Sequence, residues 1–139
     1  MYLTADDVWT VHVGLADDFA REGKPFETSV LKPWVLDSAV NQPRQTFGGA
    51  DIYPDPFAKS AALARGLICG HVFVDGNNRT GMEAALIFLE YNGWEVSFDK
   101  DEYVALALDI AGDRKRGKVP IEVEEIAGRL KKAARRIGR

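Results

Sequence analysis

Ten consecutive residues, 71–80, carry most of the chemically active side chains of this sequence: His-Val-Phe-Val-Asp-Gly-Asn-Asn-Arg-Thr. The imidazole of His71 can take a proton from an attacking hydroxyl, because histidine titrates near neutral pH. The carboxylate of Asp75 is a hard oxygen ligand of the kind that Mg²⁺ prefers. The guanidinium of Arg79 can bind two phosphate oxygens at once. The segment therefore contains the groups that a phosphoryl- or nucleotidyl-transfer site needs.

The second half of the segment predicts an anion-binding turn at the start of a helix. Gly76 lets the backbone turn several N–H groups inward. Asn77 and Asn78 tolerate left-handed backbone angles and add side-chain donors. Arg79 would lie in the first helical turn, beside unpaired N–H groups and the positive end of the helix dipole. We expect Gly76, Asn77, Asn78 and Arg79 to bind phosphates.

Each of these residues also has an ordinary structural explanation. His71 alone could cap a helix or pack in the core, Asp75-Gly76-Asn77 alone could be a simple turn, and Arg79 alone could be a solvated cation. Their combination favours a site, because a structural turn gains nothing from bringing these groups together between two apolar helices. Phe73 is better explained as an anchor in the core that makes the loop rigid.

Two apolar segments flank residues 71–80 and would hold them in place. Residues 57–70 form a helical pattern rich in small side chains, and Gly70 can end that helix. Residues 81–92 are apolar on nearly every face, which predicts a helix in the middle of the protein rather than on its surface. The pair Asn92-Gly93 is typical of a helix end.

The remaining segments predict further helices and little strand. Capping boxes at Thr4/Asp7 and Asp99/Glu102 mark two helix starts. The further helices are expected at about 5–21, 35–40, 103–111 and 121–137, the last with acidic residues first and basic residues last. Residues 45–54 have glycines, aromatics and no helical period, which indicates a loop or a short β-hairpin flap. We predict a compact all-α domain over residues 1–139, with a core at 2–112.

Bulk properties exclude several classes of protein. A chain of 139 residues with 46% hydrophobic content is long enough for one ordinary globular domain. Its net charge of −3 argues against direct binding to nucleic acid, which needs a basic face. No apolar stretch is long enough to cross a membrane, and the first residues lack the features of a signal peptide. We expect a cytoplasmic protein.

The pattern His71-x-Phe73-x-Asp75-Gly76-Asn77-x-Arg79 resembles the signature of the Fic/Doc superfamily, and the chain is most similar to its death-on-curing (Doc) branch. The similarity extends beyond the loop and covers most of residues 2–112 and, more weakly, the last helix. The further matching groups are Leu3-Thr4 with His12, Leu36-Asp37-Ser38-Ala39 with Gln42-Pro43, Phe47-Gly48-Gly49 with Tyr53-Pro54, Lys59-Ala61-Ala62, and Phe88-Leu89 with Asn92-Gly93.

The resemblance implies a fold of about six helices, ATP or a related nucleotide as donor with Mg²⁺, and a protein hydroxyl as acceptor. By position, His71 would be the base and Asp75 the metal-binding or catalytic carboxylate. Residues 45–53 would be the flap that aligns the target segment. His12 lies on the apolar face of the first helix, where core packing is expected from the sequence, and the resemblance alone suggests a position beside the active site.

The resemblance leaves three functions open. The phage-type Doc toxin, one of the toxins of bacterial toxin–antitoxin pairs, phosphorylates a threonine of translation elongation factor Tu and stops protein synthesis. Fic relatives mostly transfer AMP to a protein hydroxyl. A catalytically inactive scaffold that binds a nucleotide or a partner is the third possibility. For a toxin, inhibition is expected in trans, from a short antitoxin whose amphipathic helix lies in a groove.

Two positions depart from the family pattern. Fic enzymes usually have a second arginine where this chain has Met82, and its absence weakens the AMP-transfer hypothesis. Doc proteins usually have lysine, and Fic enzymes glycine, where this chain has Asn78. Because asparagine can occupy the turn and donate hydrogen bonds, we predict weakened rather than abolished phosphate binding. We rank the Doc-type kinase first, the nucleotidyltransferase second and the inactive scaffold third.

Overall fold

The computed structural model describes residues 1–138, and within them the chain forms six α-helices and two small antiparallel sheets. Arg139, which the sequence analysis included in the domain, lies outside the described residues. The helices are α1 (Ala5–Arg21), α2 (Pro33–Asn41), α3 (Pro56–Cys69), α4 (Asn77–Tyr91), α5 (Lys100–Ala111) and α6 (Val123–Lys132). The predicted all-α class and helix number are confirmed.

Helices α3 and α4 form the centre of the fold because small residues let their backbones approach closely. A Cβ atom built on Gly81 of α4 would lie 2.6 Å from Cγ1 of Ile68 of α3. The buried hydroxyl of Ser60 donates a 2.8 Å hydrogen bond to the carbonyl oxygen of Ala85. The other helices pack around this pair, and one continuous hydrophobic cluster extends from Leu3 to Leu130.

The predicted helix starts are confirmed in atomic detail. The Thr4 hydroxyl accepts from the Asp7 N–H, and the Asp7 carboxylate accepts from the Thr4 N–H, so both groups of the capping box are satisfied. Asp99 and Glu102 make the same reciprocal pair at the start of α5. Within residues 1–138, no helix is long and apolar enough to cross a membrane.

The predicted hairpin forms from β1 (Thr46–Phe47) and β2 (Ala50–Asp51). Gly48 and Gly49 both have positive φ angles, +60° and +83°, as a tight two-residue hairpin turn requires. The hairpin is held at the beginning of α3, where the Lys59 ammonium lies 3.0 Å from the Asp51 carboxylate.

The last helix is shorter than predicted. The sequence pattern gave a helix to about residue 137, but α6 ends at Lys132 and the chain continues as β4 (Ala134–Arg136). That strand pairs in antiparallel register with β3 (Trp94–Val96), and the Arg136 guanidinium lies 4.9 Å from the centre of the Trp94 ring. Pairing with a strand distant in sequence overrides the local helical preference of this segment.

Candidate active site

The loop that carries the predicted site connects the end of α3 to the start of α4. His71 has a left-handed φ of +48°, which turns the chain sharply after α3. Residues 72–74 then pair with residues 29–32, because Val72 O accepts from the N–H groups of Leu31 and Lys32 and Val74 N donates to Ser29 O. Val72 is fully buried, whereas His71 is exposed to solvent. The loop is therefore fixed at its centre while the imidazole remains accessible.

Phe73 is buried beneath the loop and stacks on the ring of His12. The two ring centres are 3.8 Å apart and the planes are inclined by only 9°. His12 is fully buried, and its Nδ1 lies 2.9 Å from the Thr80 hydroxyl of α4. His12 therefore contacts both the loop and the first turn of α4. It is packed in the core, as the sequence predicts, and it also lies beside the loop, as the resemblance suggests.

The environment of His12 favours its neutral form. Burial lowers the pKa of the imidazole below its usual value, and the nearby Asp75 carboxylate opposes this shift in part. Within residues 1–138, its Nε2 is the one buried side-chain nitrogen or oxygen with no hydrogen-bond partner. A protonated His12 would therefore carry a poorly compensated charge in the core.

The side chain of Asn77 closes the loop instead of pointing at the proposed phosphate site. Its Oδ1 accepts from the Phe73 N–H at 2.9 Å, and its Nδ2 donates to the Phe73 carbonyl at 2.8 Å. From the sequence, this amide is expected to bind phosphate. The side chain is engaged with the backbone at Phe73, so only the backbone N–H of Asn77 is positioned at the start of α4.

Helix α4 begins directly after Gly76, whose φ is +75°. A Cβ atom at this position would lie 2.8 Å from the Phe26 ring, so glycine is needed for both conformation and space. Within the described chain, no side chain caps this helix start. The Gly76 N–H donates to the Asp75 carboxylate at 2.7 Å, and the following N–H groups of the first turn have no partner within the helix.

Arg79 lies in the first turn of α4 and lines a cavity of about 430 Å³ together with Asn78 and one face of α5. Its guanidinium is 5.1 Å from the Tyr103 ring centre and 3.8 Å from the Glu83 carboxylate. The Tyr103 hydroxyl donates a 2.6 Å hydrogen bond to Glu83. Burial and this carboxylate raise the pKa of Tyr103, which keeps the phenol protonated.

Tyr103 and Glu83 were missed by the sequence analysis as members of this region. The spacing of Arg79 and Glu83, four residues apart in a helix, was a usable signal for their contact. Tyr103 comes from α5, and no local pattern indicates that α5 lies against the start of α4.

His71 lines a second cavity, of about 830 Å³. The remaining wall of this cavity comes from Cys69, the last residue of α3, and from the end of α5 and the loop that follows it, within residues 111–120. None of the residues that line it belongs to the first cavity. His71 and the Asn78–Arg79 pair, which the sequence analysis assigns to one site, therefore line two separate cavities.

The hairpin β1–β2, which the resemblance implies is the flap that aligns the target segment, is anchored at the start of α3 through the contact of Lys59 with Asp51. The hairpin is attached to the first turn of α3, and the loop follows the last turn. A helix of 14 residues separates the two by about 20 Å. Residues 29–32, which hydrogen-bond to residues 72–74, border the loop.

The residues present fit a magnesium ion that is held mainly by a nucleotide. Asp75 is an exposed carboxylate next to the uncapped start of α4. Among residues 1–138, no group of three or more His, Cys, Asp or Glu side chains is placed to hold a metal ion alone. Mg²⁺ usually binds through one or two carboxylates, water and substrate phosphates, which this arrangement permits.

A helical fold in which a His-x-Phe loop enters an inner helix through Gly-Asn-x-Arg is characteristic of one class of protein. The model of the Fic/DOC family matches residues 2–89, which include the whole loop and the start of α4. This chain belongs to the Fic/DOC family. It is also 40% identical, over 100 residues, to the curated protein "Toxin Doc" of Mycolicibacterium smegmatis (strain ATCC 700084 / mc(2)155), a match that covers 72% of this chain and 71% of the relative.

Proposed function

We propose that this protein is a Doc-type toxin that transfers a phosphoryl group from ATP to a serine or threonine hydroxyl of a target protein. The observation that carries the proposal is the uncapped start of α4, directly after the His71–Gly76 turn and with Arg79 in its first turn. Such a helix start attracts phosphate through its N–H groups and its dipole. Membership of the Fic/DOC family and the similarity to "Toxin Doc" support the assignment.

In this proposal the N–H groups of Asn77 and Asn78, which follow the turn at Gly76, bind the phosphates together with the Arg79 guanidinium. Asp75 would hold Mg²⁺, which neutralises phosphate charge when bound. His71 accepts the proton of the acceptor hydroxyl while its oxygen attacks the γ-phosphorus. The new bond joins that oxygen to phosphorus, the bond from the γ-phosphorus to the β–γ bridging oxygen breaks, and ADP leaves.

The second candidate is transfer of AMP, in which the hydroxyl attacks the α-phosphorus and pyrophosphate leaves. The side chain at position 82 favours the first candidate over this one. Met82 is 1% exposed and packs in the core, so it supplies no second cation for the distal phosphates. An inactive scaffold is the third candidate, and it is kept because Asn78 replaces the lysine of Doc relatives.

Elongation factor Tu is the target that we propose, with inhibition of translation in the cytoplasm as the consequence. An antitoxin acting in trans would control the activity, and the similarity to "Toxin Doc" supports this expectation. Its amphipathic helix needs an exposed apolar surface. Trp34, 67% exposed at the start of α2 and close in sequence to residues 29–32, is a candidate contact for it.

The test is intact-mass analysis of purified elongation factor Tu after incubation with this protein, ATP and Mg²⁺. The proposal predicts an added mass of one phosphoryl group, which His71→Ala prevents. The same variant should no longer arrest growth when expressed. An added AMP would replace the first candidate by the second. No added mass, with growth arrest unchanged in His71→Ala, would support the scaffold.

A further inference from the structure

A cationic loop, residues 113–118, lines the cavity that His71 also lines. Residues 113–118 close on themselves, because Asp113 N donates to Lys118 O at 2.7 Å and Lys118 N donates to Asp113 O at 2.8 Å. The Asp113 carboxylate also accepts from the Lys115 N–H at 3.1 Å. Arg114, Lys115 and Lys118 all line the cavity that His71 lines.

Two of the four cations in this loop have no carboxylate partner. Lys118 is paired with Asp109, and Arg116 lies 3.7 Å from Asp113. Arg114 and Lys115 have no acidic side chain within 4.0 Å among residues 1–138, and both are exposed. In a chain of net charge −3, this leaves a local positive surface on the cavity that His71 also lines.

The position of His71 indicates which substrate this surface meets. A base that takes the proton of an acceptor hydroxyl must have that hydroxyl within hydrogen-bond reach. His71 faces the cavity with the cationic loop, whereas Asn78 and Arg79 face the other cavity. If the donor phosphates lie at the start of α4, the cavity that His71 lines is left for the acceptor.

We propose that Arg114 and Lys115 bind an acidic segment of the acceptor protein, next to the hydroxyl that His71 deprotonates. The inference rests on the proposed function, because the acceptor is assigned to this cavity only if His71 is the base. Exposed charges of opposite sign guide a partner into register and raise its association rate. The family match ends at residue 89, so these two cations lie in a part of the chain that it does not cover.

The test measures peptide binding and does not depend on catalysis. The probe is a fluorescein-labelled peptide with one threonine flanked by glutamates, compared by anisotropy with the same peptide carrying glutamines. The wild type should prefer the glutamate peptide. The double variant Arg114→Glu/Lys115→Glu should weaken its binding by about tenfold, since two attractive contacts become repulsive.

The matched control is Lys131→Glu/Lys132→Glu, which changes the net charge equally at the end of α6 and touches none of the residues of this cavity. It should leave peptide affinity within about twofold of the wild type. Equal losses in both double variants would overturn the proposal, because the peptide would then be responding to net charge alone. Unchanged peptide affinity in Arg114→Glu/Lys115→Glu would overturn it as well.

ATP affinity of the same variants, measured by calorimetry, separates the donor from the acceptor. The proposal expects Arg114→Glu/Lys115→Glu to bind ATP as the wild type does. A large loss of ATP affinity with unchanged peptide affinity would assign these cations to the nucleotide and overturn the proposal. Failure of the proposed function and failure of this inference give different results. If only the proposed function fails, the wild type adds no mass to elongation factor Tu, but its binding of the glutamate peptide still depends on Arg114 and Lys115.

Discussion

At the scale of single residues, the side chains of Asn77 and His12 hold the loop in its conformation. Asn77 closes it through both hydrogen bonds to the Phe73 backbone, and His12 supports it through the Phe73 ring. His12 also reaches the Thr80 hydroxyl, so one buried imidazole joins α1, the loop and α4. The accessible groups, His71 and Arg79, are thus held in place by contacts of the buried Phe73 and His12 and of the half-buried Asn77.

His12 should make stability depend on pH in the mildly acidic range. Burial lowers the pKa of the His12 imidazole in the folded protein below its value of about 6.5 in the unfolded chain. As the pH falls, the unfolded chain therefore binds a proton at this imidazole before the folded protein does. The free energy of unfolding should therefore fall between about pH 7.5 and about pH 5.5. Urea unfolding at several pH values measures it.

The variant His12→Gln isolates this effect. It should cost about 1–3 kcal/mol at neutral pH, because the stacked ring and its hydrogen bond are lost, and it should flatten the decline with acid. His71→Gln is the matched control, since that ring is exposed, and it should retain the wild-type decline. An unaltered decline in His12→Gln would show that other groups cause it.

The residues of the loop could be located from the sequence, but the contacts that each side chain makes could not be predicted. The His-x-Phe and Gly-Asn-x-Arg spacings were sufficient to place residues 71–80 between two helices. The same amide group of Asn77 can donate to a phosphate or to a backbone carbonyl, and sequence spacing does not distinguish these. His71 and Arg79 were expected at one site, yet their separate cavities depend on the position of α5.

At the scale of elements, the contact between α3 and α4 determines where the loop is held. These helices approach closely because glycine and alanine occupy the facing positions, and Gly81 leaves room for the Ile68 side chain. The start of α4 is therefore fixed relative to the end of α3. The loop connects these two helix ends.

Gly81→Ala should destabilise the protein by about 1–3 kcal/mol, because its Cβ would meet the buried Ile68 side chain at 2.6 Å. Gly128→Ala in α6 is the matched control: its Cβ has nothing within 4 Å, and it should stabilise by roughly 0.5–1 kcal/mol through helix propensity. Thermal or urea unfolding measures both. Equal small gains in the two variants would contradict the proposed close contact.

Elements with strong local signals were predicted well, and elements fixed by distant partners were not. Capping boxes and apolar patterns predicted α1, α3 and α5 to within a few residues. Residues 133–136 look helical locally but pair with β3, some 40 residues earlier. The hairpin was predicted as an element, whereas its place at the far end of α3 follows from chain direction and helix length.

At the scale of the whole molecule, Asp109 connects the end of the fold to its centre. Its carboxylate accepts from Lys118 of the cationic loop and, at 2.8 Å, from Arg129 of α6. These hydrogen bonds lower the pKa of Asp109 below its usual value. The cationic loop is thereby joined to α5 and α6.

Asp109→Asn should lower the free energy of unfolding by about 1 kcal/mol at neutral pH. A carboxylate whose pKa is lowered by folding stabilises the fold at pH values above its pKa in the unfolded chain. This stabilisation is lost as the pH falls through its pKa in the folded protein. The difference in the free energy of unfolding between Asp109→Asn and the wild type should therefore persist down to about pH 4.5 and narrow only below about pH 4. Glu125→Gln is the control, as its more exposed contact with Arg129, at 3.4 Å, should contribute little. A difference that narrows already near neutral pH would contradict this assignment.

The most direct test of the central claim is calorimetric titration of ATP with Mg²⁺ into the wild type, Arg79→Ala and His71→Ala. If the start of α4 binds the phosphates, Arg79→Ala should weaken ATP binding by about tenfold or more. His71→Ala should bind ATP as the wild type does and yet transfer nothing to the acceptor. Wild-type ATP affinity in Arg79→Ala would contradict the assignment of the phosphate site to this helix.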